Sequence, residues 1–348
     1  MQAELSQRQR AILGYIVQEY VRTGRAVGSK TLIERYELRV SSATVRNEMG
    51  ELEERAFLQH PHTSAGRVPT DRGYRYYVEY LLEETQLPAA DQLMIRHQFR
   101  QVESQLDRSA RLAASILSEL SGNLALVTPP RSPVERLRHF ELISLREQVA
   151  LLIVVTQSGV VHQMVLPLEE PIEQTDLSAL SQQLNPEVRN GTGAQVLQRA
   201  SELTGLPALL LHTVAEAIVR ADQESQSALF SEGLERTLGQ PEFERSAVAQ
   251  RLLELLRGGT ILSALLPQLE LDDDVQVFIG SENKSEDLRP FGVVVSTYGT
   301  GDEISGLLGV LGPTRMPYGR SISTVRYLSQ VLSDLLGSIY EESADPAE

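Results

Sequence analysis

The sequence predicts an α+β protein of several domains, on three observations. Its first eighty residues repeat apolar side chains at the helical period, broken by short polar turns. From residue 137 the period falls to two, and runs such as Leu151-Leu152-Ile153-Val154-Val155 appear, as buried strands require. Helical patterns return from about 168 to 269, and strand patterns resume at Val275. At 348 residues the chain exceeds one ordinary core and suggests two or three domains.

Composition narrows the class. Hydrophobic residues at 41% with 23% charged place the chain among soluble globular proteins. There is no cysteine, so disulfides and thiolate metal sites are excluded, in keeping with a reducing cytosol. The start, MQAELSQRQR, has no apolar core for a signal peptide. The longest apolar run, Val149 to Val155, is too short for a bilayer, so a cytoplasmic protein with no membrane partner is expected. The net charge of −15 is unevenly spread: residues 1–80 hold 12 Lys and Arg against 10 Asp and Glu. The acidity therefore lies downstream, leaving the N-terminal module as the surface able to meet a polyanion. A module so nearly neutral holds phosphate weakly, so two copies on one duplex are expected.

The elements follow in order. Leu5 to Val21 predicts a helix buried through Ile12, Leu13, Ile16, Val17 and Tyr20, with Ser6 and Gln9 as a capping box and Gly24 as its stop. Ser29 opens a short helix with Leu32, Ile33 and Tyr36 on one stripe. Leu38-Arg39-Val40 is the turn, and Ser41 or Ser42 caps the next helix. There Val45, Met49 and Leu52 face inward, leaving Ser42, Thr44, Arg46 and Asn47 outward. These are positions that a recognition helix presents to a major groove. Arg can bond guanine and Asn adenine in two places each, worth about 1–3 kcal/mol of discrimination per pair. After Leu58 comes QHPHTSAGRVPT, read as a wing of two short strands carrying His62, Thr63, Ser64 and Arg67 towards phosphates or the minor groove. Together these elements predict a winged helix-turn-helix with DNA-binding residues Ser42, Thr44, Arg46, Asn47, His62, Thr63, Ser64 and Arg67.

The stretch VSSATVRNEMGELEERAFLQHPHTSAGRVPTDRGYRYYV resembles the signature of the HrcA family, heat-inducible transcription repressors of bacteria. It departs at Arg55-Ala56-Phe57, where a glycine is frequent before the wing. FGVVVSTYG and ISGLLGVLGPTRMPYGRSISTVRYLSQVLSDLL resemble the C-terminal region of the same family. The resemblance implies a GAF-like α/β domain interrupted by a mostly helical inserted dimerisation domain. It also implies a homodimer on an inverted-repeat operator of chaperone operons, with the chaperonin GroEL helping the repressor reach its active fold and heat diverting that help.

Beyond the wing, Thr70 caps a helix through Tyr74, Tyr77, Val78, Leu81 and Leu82, and Leu87-Pro88 is the linker. Asp91 to Leu120 is one long helix or two. LRHFELISL, QVALLIVVTQ and VVHQMVLPL are three strands, and ALFSEGLERTL offers a further one among the helices from 168 to 269. VQVFIG, FGVVVSTYG and ISGLLGVLG are strands, and Ser321 to Ile339 is the last helix. The two strand blocks read either as one sheet interrupted by an insertion or as two α/β units in tandem; the resemblance favours the first. The expected division is 1–86 for the winged helix, 87–167 and 271–348 for the GAF-like domain, and 168–270 for the insertion.

No other chemistry converges. The histidines are scattered, there is no HExxH, and Glu270-Leu271-Asp272-Asp273-Asp274 lacks the glycine and closing glutamate of a calcium loop. Gly191-Thr192-Gly193 and Gly299-Thr300-Gly301 lack the Gly-Lys-Ser/Thr of a P-loop, and no GxSxG occurs. No enzyme, metal or cofactor is expected. The rival reading is a metabolite-sensing winged-helix regulator, with Tyr298, Thr300, Arg315 and Tyr318 lining a ligand pocket.

Overall fold

The computed structural model describes residues 5–61, 66–83, 86–102, 106–130, 134–244, 246–270, 274–299 and 305–344. Its first helix, α1 (Gln7–Thr23), starts at the expected capping box, with Ser6 and Gln9 exchanging hydrogen bonds. Ile12, Leu13, Ile16 and Val17 are fully buried. Gly24 ends the helix at φ +66°, a left-handed turn that glycine makes without strain. Helices α2 (Ser29–Tyr36) and α3 (Ser42–Glu54) follow, and it is Ser41 that caps α3, its hydroxyl accepting from the Thr44 amide. Strands β1 (Leu58–Gln59) and β2 (Val68–Pro69) pair antiparallel. Arg67 extends them by a two-bond bridge to Val27, and Gly66 permits this: a Cβ there would lie 2.3 Å from the Val27 carbonyl oxygen. Helix α4 (Asp71–Tyr76) is capped by Thr70 and continues as a π turn over Tyr77–Leu81.

The segment 91–120 is two helices, α5 (Ala89–Phe99) and α6 (Leu106–Ser121), followed by β3 (Leu124–Val127). Next come β4 (Leu137–Arg146), β5 (Val149–Thr156), β6 (Val161–Pro167), α7 (Gln174–Val188), α8 (Gly193–Ala200) and α9 (Leu206–Ser227). The chain continues through β7 (Phe230–Glu232), α10 (Leu234–Leu238), α11 (Ser246–Arg257) and α12 (Ile261–Leu265). It closes with β8 (Gln276–Ile279), β9 (Phe291–Gly299), β10 (Ser305–Pro313) and α13 (Tyr318–Ala344).

Two compact units result: Met1–Thr128 with Leu229–Gly299 and Leu307–Glu348, and Pro129–Ala228 with Thr300–Gly306. The first holds a five-stranded sheet in the order β7-β3-β10-β9-β8, the second a three-stranded antiparallel sheet β4-β5-β6. This corrects the expectation that strands 137–166 share a sheet with the C-terminal strands. The inward face of the three strands, Phe140, Leu142, Leu152 and Val154, is covered by Leu177 and Leu184 of α7 and Leu211, Val214 and Ile218 of α9. Sheet and helices thus form one self-sufficient core, and the strand-to-helix edge at 167/168 falls inside it.

The edge at 270/271 moves as well. Leu252 and Leu255 of α11 and Ile261 and Leu265 of α12 pack on Leu124, Leu126, Phe291 and Val293, which belong to the first unit. Nor does residue 86 mark a division. One cluster runs from Leu5, Leu13 and Met49 through Leu117 to Val325, Leu328 and Leu336, so the N-terminal helices, α6 and α13 share a core. The possible strand in ALFSEGLERTL is β7, pairing with β3 at the sheet edge.

Candidate nucleic-acid interface

Helix α3 is anchored by Val45, Met49 and Leu52, each at most 2% exposed. Arg46 and Asn47 lie on its exposed side, and no partner among the described residues holds either side chain. Thr44 and Ser42 are half-buried and already engaged. The Thr44 hydroxyl lies 2.9 Å from that of Ser41, and the Ser42 hydroxyl 2.9 Å from that of buried Ser29. The first bond steadies the cap of α3, and the second ties α3 to α2.

The ion pairs of the head sort its cations. Arg22 and Arg35 converge on Glu19, at 2.6 and 3.1 Å, and Arg8 meets Glu48 at 3.2 Å. The Arg22 hydrogen bond, helped by both positive charges, outweighs burial and holds the Glu19 carboxyl below the ordinary value. Arg72 lies over the Phe57 ring. Arg25, Lys30, Arg39 and Arg46 remain exposed without an ionic partner among the described residues. They fall on the loop before α2, its first turn, the α2–α3 turn and the outer side of α3. Lys30 and Arg39 were not singled out from sequence; cations at the start of α2 and in the following turn were the available signal.

Arg67 is only 13% exposed and is held by Glu53, with its Nε and Nη2 each 2.9 Å from Oε2. The other Glu53 oxygen bonds His60 Nδ1. Burial raises the Glu53 pKa, but the bonds from His60 and Arg67 outweigh it and leave the carboxyl below its usual value. Arg67 therefore sits at the root of the wing, paired across to α3. His62, Thr63 and Ser64 lie outside the described residues.

The residues considered for a small ligand are committed elsewhere. Tyr298 donates to the Thr128 carbonyl at 2.6 Å, Tyr318 to that of Thr314 at 2.8 Å, and Arg315 bonds Glu242 and the Val21 carbonyl. Thr300 lies outside the described residues, as do Leu271, Asp272 and Asp273, while Asp274 pairs with Arg326 at 2.5 Å. An open groove of about 460 Å³ beside Leu87 is lined by Gln92, Asp274, Arg326 and Tyr327. Within it Arg326 donates to Asp274, and the Tyr327 hydroxyl accepts from Arg96 and donates to the Gln92 carbonyl. Among the described residues no group of three or more His, Asp or Glu could hold a metal, and no helix is long and apolar enough to cross a membrane.

Helices α1, α2 and α3 with the β1–β2 pair thus leave Arg46 and Asn47 on the outer side of α3. A family model described as the HrcA protein C-terminal domain matches residues 107–322. A protein of Thermomicrobium roseum named heat-inducible transcription repressor HrcA is 54% identical over 97% of this chain and 97% of its own length. One of the same name from Roseiflexus sp. (strain RS-1) is 43% identical over 98% of this chain and 97% of its own. A solved structure titled as a hypothetical protein aligns at 25% identity and a TM-score of 0.65, covering 96% of this chain and 99% of that one. The chain belongs to the HrcA family, a family of transcriptional repressors rather than enzymes.

Proposed function

We propose that this chain is a dimeric repressor that lays two copies of α3 in successive major grooves of an inverted-repeat operator. The observation that carries the reading is the pair Arg46 and Asn47, exposed and unpartnered among the described residues on a helix whose other side is locked in the core. In this reading they read base edges, while Ser42 and Thr44 hold the helix at its working angle and lend hydroxyls to the backbone. His62, Thr63, Ser64 and Arg67 form the wing contact, with Arg67 exchanging Glu53 for a phosphate on the duplex.

The second copy docks on the free face of the three-stranded sheet. Ile143, Leu145, Val161 and Val165 are 39, 52, 53 and 64% exposed. Leu151 pairs with both Ile143 and Val165 in register, which makes the patch continuous across β4, β5 and β6. A contiguous apolar sheet face of this kind fits an isologous two-fold contact. On this proposal the second unit is the inserted dimerisation domain and the first carries the GAF-like domain.

The repressor acts in the cytoplasm on chaperone operons, and the chaperonin GroEL and heat set how much of it is folded. The test is footprinting of the purified dimer on the DNA upstream of its own operon, with and without chaperonin. Two protected half-sites related by a dyad are expected. Uniform protection without a dyad would overturn the proposal.

A further inference from the structure

Helix α4 joins the wing to the sheet domain, and both attachments are built from charged or capping groups. On the wing side, the Thr70 hydroxyl donates to the Ala56 carbonyl at 2.6 Å while its amide donates to the Phe57 carbonyl at 3.1 Å. Gly73 packs so closely that a Cβ would lie 2.2 Å from the Phe57 oxygen. From the first residue of α4 and from one turn later, two side chains grip the corner after β8. Asp71 accepts both the amide and the hydroxyl of Ser281 at 2.8 Å. Arg75 bonds both oxygens of Glu282 and reaches the Val277 carbonyl at 2.5 Å.

The corner is shaped for this grip. Gly280 sits at φ +55°, and a Cβ there would lie 2.3 Å from the Asp71 carboxylate. Glu282 also accepts from the Ile279 amide at 2.8 Å, so the residue that takes Arg75 holds its own turn. Alongside, Tyr74 packs on Tyr318, and Arg315 reaches the Val21 carbonyl near the end of α1. Beside the apolar core shared with α13, a hydrogen-bonded point at Asp71 and an ionic one at Arg75 hold this six-residue helix, whose N-cap Thr70 is tied to the wing, and Arg315 adds a bond to α1.

We propose that Asp71, Arg75 and Glu282 are positioning residues that fix the angle of the DNA-binding head and so set the half-site spacing the dimer accepts. This rests on the two-headed reading above. A head free to pivot still recognises one half-site, but it meets the second over a range of separations at lower effective concentration. None of the three residues needs to touch DNA.

The test uses full-length protein and an inverted-repeat duplex selected on the wild-type dimer, with the spacer stepped one base pair at a time through two turns of the duplex. Wild type is expected to show a sharp optimum. Arg75→Ala and Gly280→Ala should flatten it about tenfold, with dimer mass and affinity for a single half-site unchanged. Glu282→Gln, which keeps the shape and most of the hydrogen bonds, should fall between. Variants that keep the wild-type profile would overturn the positioning role even if less heat-stable, as would variants that lose single-site affinity in parallel. A flat wild-type profile with intact half-site binding removes both clamp and spacing; absence of half-site binding removes the two-headed reading itself.

Discussion

Ala56 shows how one residue departs from its surroundings. It follows α3 in the left-handed conformation, φ +59°, where its amide bonds the Glu53 carbonyl and the Phe57 amide that of Leu52. A side chain in that conformation costs roughly 1–2 kcal/mol, which glycine avoids. This is the position at which the family resemblance leads one to look for glycine. Ala56→Gly should therefore raise stability by about 1 kcal/mol, read as a higher denaturation midpoint at unchanged m-value. Glu53 carries a second expectation. Its folded carboxyl titrates below the ordinary value, so its contribution is present above the unfolded pKa and is lost as pH falls through the lower folded one. Wild type should lose stability across that acid range more steeply than Glu53→Gln, followed by thermal unfolding against pH. At the proposed reading head, Arg46→Ala and Asn47→Ala should each cost about 1–3 kcal/mol of operator preference, with non-specific binding retained in a competition titration.

Elements were legible where their signals are local. Ser6 with Gln9, Gly24, the Ser41–Ser42 alternative and Thr70 mark helix ends through hydrogen bonds within a few residues, and the structure places caps at or beside them. Gly66 and Pro69 bracket the start of β2 in the same way. What could not be read was which strands join. LLIVV and FGVVVS are equally apolar, yet one pairs only within β4-β5-β6 and the other lies between β8 and β10. Pairing over such sequence distances is decided by the helices that cover each face. Leu211, Val214 and Ile218 of α9 and Leu252 and Leu255 of α11 share the same helical spacing, yet the two helices serve different sheets. At this scale the free face of the three-stranded sheet makes a prediction. Val165→Asp on its exposed side should leave the fold within about 0.5 kcal/mol but split the proposed dimer, seen as halved mass in sedimentation.

Across the whole molecule, charge and core work on different maps. The −15 total would oppose DNA, yet Arg25, Lys30, Arg39 and Arg46 stay without ionic partners among the described residues of the head, while other arginines there are neutralised by neighbours. If Arg25, Lys30, Arg39 and Arg67 each meet one phosphate, a dimer releases counterions from about eight, and the logarithm of affinity should fall with that of salt at a slope of roughly −7. A single half-site should give half that slope. A slope near zero in a salt titration would exclude these contacts.

The core crosses this charge boundary. Tyr74 packs against Tyr318, and α1, α3 and α13 contribute to one apolar cluster. A ribosome emits α1 well before α13, so the nascent head waits some three hundred residues for the helix that completes its hydrophobic seat. During that interval Leu5, Leu13 and their neighbours are available to any apolar surface at hand, an aggregation hazard that ends when α13 closes the cluster.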